Sequence, residues 1–299
     1  MSRNYPGRLN SSITRVRPVF QALFGKDRTG KAWLPDILRI ESLYVDPSIA
    51  ACPGTMKGWV TRKRSYSDRI LKQKPYSIDM IELEECFEHS VPPPTAFLRW
   101  LCENPIESQW LKKRDSFEEG SPTRSKRDDL FGLNGPDNET AAMSEALIEL
   151  KADGNQGSRR KWWAFEGFTE VDCCLETERL LLFIEGKRTD PISSSTDWYE
   201  GRNQLLRNLE AAEELAEEKG IEYGVILISE NPAEPPSPGE YERSYPHLED
   251  SRKAELQNHF LGCTTWRDIC KSTGLDSNIL PRTTQDVVDR IKKARRALS

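Results

Sequence analysis

A chain of 299 residues with 43 Lys and Arg against 48 Asp and Glu has a formal net charge of −5. That balance does not announce a nucleic-acid binder, so any surface for nucleic acid must be a local patch. Eight Trp, ten Phe and eight Tyr supply core material despite 30% charged residues, which argues for a folded chain with polar loops rather than a disordered one.

Seven Cys stand at irregular spacing with no CxxC pair, and the three His fit no zinc pattern. Reduced, mostly buried thiols in a cytoplasmic protein are the expectation. The N-terminus has no apolar h-region and no run of about 18 apolar residues occurs, so a soluble, unsecreted protein with no membrane partner is expected.

In chain order, residues 1–14 are polar and read as a mobile N-terminus, and residues 15–115 as an accessory region with some core of its own. Residues 37–45 suit strand or helix equally. Thr61–Arg64 is basic, either a solvated loop or a phosphate contact, and residues 78–89 are acidic. Pro92–Pro94 stop the chain before Thr95, a plausible N-cap for a helix at 96–103 with Phe97, Trp100 and Leu101 on one face. Residues 116–139 read as a loop or linker whose basic cluster, Arg124, Lys126 and Arg127, is either solvated or functional.

A helix is predicted over 140–152, with Met143, Ala146, Leu147 and Leu150 as its apolar stripe and Gly154 as its terminator. Arg159–Lys161 form a further basic patch. Residues 162–170 read as the outer part of a strand, placing Glu166, Phe168, Glu170 and Asp172 on one face. Glu166 on that face either helps a metal site or holds a neighbouring basic side chain. A hairpin follows at 169–187, then a helix at 198–219 capped by Thr196 or Asp197, with Leu205, Leu209, Ala212 and Ala216 on its packed face. Residues 223–229 (YGVILIS) suit a central strand, residues 231–247 a Pro-rich loop, and residues 248–299 a helical tail with helices at 248–260, 264–272 and 283–298.

The hairpin carries the chemistry. A turn centred on Glu178–Arg179 sets Asp172 opposite Glu185, with Cβ atoms about 5 Å apart, and alternation puts Glu185 and Lys187 on one face. Two adjacent carboxylates repel, and a divalent cation between them is the reason to accept that. As hard oxygen ligands they suit Mg²⁺ or Mn²⁺ better than zinc.

Asp172, twelve intervening residues, then Glu185-Gly186-Lys187 at the end of an apolar strand resembles the PD-(D/E)XK nuclease superfamily, with Val171 where the family's proline stands. The resemblance covers about residues 140–230. It implies an α/β fold with a restriction-endonuclease-like core, a mixed central sheet with flanking helices, extended by the N-terminal region and the helical tail. It further implies metal-dependent phosphodiester hydrolysis of nucleic acid, DNA in the first instance. Asp172, Glu185, the Gly186 carbonyl and Glu145 on the preceding helix would hold Mg²⁺ or Mn²⁺, with Glu149 as the fallback. Lys187 would orient water or stabilise charge, Gln204 would line the site, and Arg202 and Arg188 would touch substrate. A homodimer pairing two sites belongs to the same picture. Two alternatives stand beside it: the same fold acting as an interaction module without turnover, and a structural hairpin in which Asp172 and Glu185 merely pair with Arg188 and Lys187.

Overall fold

The computed structural model describes residues 11, 15–61, 90–188 and 191–280. Most of the N-terminal segment 1–14, the basic residues 62–64, the acidic stretch 78–89 and the helix predicted at 283–298 lie outside the described residues. The strands are β1 (Met56–Thr61), β2 (Ser90–Val91), β3 (Thr169–Glu170), β4 (Cys173–Thr177), β5 (Leu180–Gly186), β6 (Glu222–Ser229) and β7 (Phe260–Thr265). The helices are α1 (Arg17–Lys26), α2 (Leu34–Leu38), α3 (Pro47–Ala51), α4 (Thr95–Glu103), α5 (Glu107–Lys113), α6 (Pro122–Leu130), α7 (Pro136–Asp153), α8 (Gln204–Lys219), α9 (Pro238–Ser244), α10 (Asp250–His259) and α11 (Trp266–Thr273).

Five strands form one mixed sheet in the order β1-β4-β5-β6-β7. The first three pair antiparallel and β5, β6 and β7 run parallel. The fold is mixed α/β with helices on both faces of this sheet. Strands β2 and β3 make a separate two-stranded ribbon. Among the described residues no helix is long and apolar enough to cross a membrane, and the six described cysteines are free thiols.

The hairpin forms where its spacing predicts. Thr177 Oγ1 accepts hydrogen bonds from the backbone N–H groups of Arg179 (3.1 Å) and Leu180 (2.9 Å), closing a tight turn on Glu178–Arg179. Cys173 then faces Ile184 and Leu175 faces Leu182. Asp172 lies just beyond the last paired residues, where its side chain accepts from the Gly186 amide on β5. Alternation sends Leu180, Leu182 and Ile184 to a core shared with Ile226, Ile228 and helices α1, α2 and α11. Leu181 and Phe183 enter a second core with Val225, Leu227 and the apolar face of α8. Both faces are covered, which is why β5 is apolar throughout. Each of these side chains stabilises the fold by about 1.5–3 kcal/mol on burial.

Helix α8 is the crossover that lets β6 run parallel to β5. Its start was expected near residue 198, with Thr196 or Asp197 as cap. Instead Asn203 caps it, its side-chain oxygen accepting from Leu205 N (2.8 Å) and Leu206 N (3.4 Å). Gly220, at φ +63°, ends it in the left-handed conformation that glycine tolerates. Thr196 closes a local turn with Tyr199, and Asp197 pairs with Lys113.

Other expectations are corrected. The strand at 162–170 shrinks to Thr169–Glu170, because Trp162 and Trp163 turn away and donate their indole N–H groups to Glu149 at 3.2 and 2.8 Å. These tryptophans join Phe165 and helices α4 to α7 in a third core. The segment 116–139 contains α6, capped by Ser121, and the start of α7. The Pro-rich stretch 231–247 holds α9, started by a capping box of Ser237 and Glu240. The tail is not purely helical: β7 occupies Phe260–Thr265, paired in parallel with β6 and bridged by Leu43 on its other side. Tertiary pairing there overrides local helical periodicity. Pro94, not Thr95, occupies the cap of α4, and Thr95 donates from its amide and hydroxyl to Glu214.

Candidate functional site

Strand alternation points Glu185 and Lys187 at the second core, where they meet Gln204 and Asn208, one turn apart at the start of α8. Glu185 Oε1 accepts from Gln204 Nε2 at 2.7 Å and pairs with Lys187 Nζ at 2.8 Å. Its Oε2 accepts from Asn208 Nδ2 at 3.0 Å. Lys187 Nζ also donates to Gln204 Oε1 at 3.1 Å. Asn208 Oδ1 accepts from the Thr169 hydroxyl at 2.9 Å, and that hydroxyl accepts from Arg207 at 3.0 Å. Asp172 Oδ2 accepts from the Gly186 amide at 3.0 Å, which ties the first carboxylate to the strand bearing the second.

Glu185 is 1% exposed while the Lys187 side chain is 14% exposed, so the cluster meets solvent at Lys187. Burial first, and then the charge of Asp172, push the Glu185 carboxyl up to about 7; Lys187 and Arg207 pull the other way. Glu185 thus holds its carboxylate in a nearly dry setting, with the Lys187 ammonium against it.

The residue between the acid and the lysine must be glycine for reasons on the opposite face. A methyl group added at Gly186 would overlap Val16 Cγ2 and stand 2.9 Å from Trp266 Cζ2. The same indole donates its N–H to the Lys187 carbonyl at 2.9 Å. Close packing on one side of β5 therefore seats the charged pair on the other.

Four residues brought into the site by sequence reasoning stand elsewhere. Glu145, on α7, pairs with Lys126 of α6. Glu149, the fallback, accepts from the two indoles of Trp162 and Trp163. Arg188, past the end of β5, lies where, with Arg15 and Arg267, it helps hold the Glu230 carboxyl below its ordinary range; the hydrogen bond from Arg15 is the main cause. Arg202, expected at a substrate phosphate, is fully buried. It binds Glu166 at 3.1 and 3.3 Å, Glu210 at 2.8 Å and the Ser244 carbonyl at 3.0 Å, with its guanidinium 3.8 Å from the Phe97 ring centre. It clamps four segments together, and Glu166 serves that clamp.

Asn208 and Thr169 were not singled out as site residues in the sequence. The signal for Asn208 was its spacing: four residues after Gln204, it shares that residue's helix face. Nothing local marks Thr169.

Among the described residues no group of three or more His, Cys, Asp or Glu side chains is arranged to hold a metal ion. A hard cation here would be held by Asp172 and Glu185, whose oxygen donors suit Mg²⁺ or Mn²⁺. It would have to displace the Lys187 ammonium from Glu185. No known protein family, curated protein or solved structure matches the chain.

Proposed function

We propose that Asp172, Glu185 and Lys187 form the site of a metal-dependent phosphodiesterase acting on nucleic acid, DNA in the first instance, within a restriction-endonuclease-like core. The observation that carries this reading is the convergence itself. Asp172 is tied through the Gly186 amide to the strand that bears Glu185, and Lys187 and Gln204 close on Glu185 from the same face. The resemblance of Asp172 and Glu185-Gly186-Lys187 to the nuclease pattern concerns those same residues. An antiparallel hairpin, a crossover helix and a parallel strand make a mixed central sheet of the kind the resemblance implies.

Asp172 and Glu185 would hold the cation, which when bound supplies an acidified water and a clamp for phosphate oxygens. Gln204 and Asn208 fix the orientation of the Glu185 carboxylate. Lys187, now paired with Glu185 at 2.8 Å, would once released offer a compact positive charge suited to the charge that grows on phosphate oxygens. Burial keeps water other than the nucleophile away from these groups.

A binding module without turnover is favoured by one specific observation: both oxygens of Glu185 already accept from protein donors, and Lys187 offsets its charge. Calorimetric titration with Mn²⁺ separates the two. Binding lost in Asp172→Asn, together with Mg²⁺-dependent cleavage lost in a folded Lys187→Ala, supports the enzyme. Absence of Mn²⁺ binding, and of cleavage across single- and double-stranded DNA and RNA, overturns it.

A further inference from the structure

A cleft of about 890 Å³ lies between α5, α6 and the segment leading into β3. It is distinct from the carboxylate cluster, and its wall ends at Glu170, two residues before Asp172. Arg127 on its wall was expected to be solvated, yet it is only 5% exposed. Its guanidinium is surrounded by the rings of Trp110, Phe117, Phe165 and Trp198, at 4.8 to 5.8 Å from their centres. One hydrogen bond holds it, from Nε to the Trp162 carbonyl at 2.6 Å. Among the described residues no carboxylate lies within ion-pairing distance of it. Burial accordingly pushes its pKa down to about 10, with no counter-charge opposing the shift. A buried cation without an anion is unfavourable, and nature normally pairs such groups.

Three further features point the same way. The Ser158 hydroxyl lines the cleft, is 1% exposed and has no hydrogen-bond partner among the described residues. A buried, unsatisfied hydroxyl is uncommon in native proteins. Beside it Arg160 adopts φ +63°, and among the described residues no other non-glycine residue has positive φ. Such strain costs about 1 kcal/mol and gathers at ligand sites. Arg159 completes the rim, lying over the Phe168 ring at 4.3 Å. Lys113 and Lys161 also line the cleft, but Asp197 and Asp153 pair with them, so the buried Arg127 is the cation of the cleft with no carboxylate within ion-pairing distance among the described residues.

We infer that this cleft is a phosphate-ester site, with Arg127 and Ser158 as its buried contacts and Arg159 and Arg160 as its rim. An arginine fork and a hydroxyl are the donors that phosphate oxygens take, and the volume accommodates a nucleotide unit rather than a bare ion. Of the carboxylates on the cleft wall, Glu166 is sequestered by Arg202 and Asp197 by Lys113, while Glu170 stands at the end of the wall beside the hairpin. The site requires neither a metal nor turnover at Asp172 and Glu185, so its fate is separable from that of the proposed enzyme.

The test is fluorescence anisotropy of a labelled single-stranded oligonucleotide with the full chain in EDTA, where no metal-dependent step operates. Unlabelled oligonucleotide, a mononucleotide and inorganic phosphate serve as competitors. Arg127→Gln should weaken binding about tenfold or more, and the near-isosteric Ser158→Ala severalfold. Lys219→Ala, a charge-matched change next to Glu176, should leave it unaltered. If Arg127→Gln proves unfolded by circular dichroism, Ser158→Ala and the double variant Arg159→Ala with Arg160→Gly carry the test. Competition by oligonucleotide alone identifies a strand as the source of the phosphate, and equal competition by mononucleotide identifies a free nucleotide; either outcome supports the site. Failure of the wild-type chain to bind any of these probes, or binding unchanged in Ser158→Ala and the rim variant, overturns it.

Discussion

Replacing Asp172 by Asn tests the heart of the carboxylate cluster, because Asn keeps an oxygen for the Gly186 amide while removing the charge. Folding raises the Glu185 pKa from its ordinary 4.5 to about 7. Between those values the native state holds a proton that the unfolded chain has released, so stability falls as pH rises through the window. The full penalty is present above 7 and absent below 4.5. A shift of about 2.5 units corresponds to roughly 3 kcal/mol. Burial is the larger cause and the charge of Asp172 the second. The size of the aspartate's part follows from Coulomb's law. Opposed side chains about 5 Å apart repel by about 3 kcal/mol at an effective dielectric of 20, before Lys187 and Arg207 offset part of it.

At pH 5 Glu185 is protonated in the native protein, and Asp172→Asn should register only its weakened hydrogen bond. At pH 8 the substitution also relieves repulsion. Urea unfolding in EDTA should therefore show the variant gaining about 1–3 kcal/mol relative to wild type between pH 5 and pH 8. Parallel stability profiles for the two proteins would show that the carboxylates do not sense each other, and the cluster would lose its physical basis.

Three other outcomes follow from the same geometry. Gly186→Ala should lower stability by about 1–3 kcal/mol in urea unfolding, since Val16 and Trp266 leave no room for a methyl group; an unchanged midpoint would contradict the packing described. Arg202→Met should destabilise by about 3–5 kcal/mol by leaving Glu166 and Glu210 buried without their cation, and a thermal melt within a degree of wild type would refute the clamp. Mn²⁺ affinity, measured by calorimetry, should fall about tenfold per pH unit below 7 as Glu185 takes up its proton. A flat affinity between pH 6 and 8 would mean that Glu185 does not hold the ion.

Much of the cluster was legible in the linear chain because it depends on short-range rules. A two-residue turn at Glu178–Arg179 and the period of two along a strand are enough to pair Asp172 with Glu185 and to align Glu185 with Lys187. The period of a helix is enough to put Gln204 and Asn208 on one face of α8, and Gly154 and Gly220 mark helix ends by their own conformational freedom. The apolar run Leu180–Ile184 announced a strand covered on both sides.

What only the tertiary structure decided concerns partners distant in sequence. Arg202 and Arg127 look like surface cations when read locally, but the first is enclosed by Glu166, Glu210 and Phe97 and the second by four aromatic rings. Glu145 was assigned by its place on a helix, and the packing of α6 against α7 gives it Lys126 instead. Strand β7 exists because β6 offers a parallel edge, which no local periodicity reports. Charge, aromatic size and edge pairing are satisfied by whichever groups the fold brings near, so their partners are settled in three dimensions, whereas turns, caps and alternation are settled by neighbours along the chain.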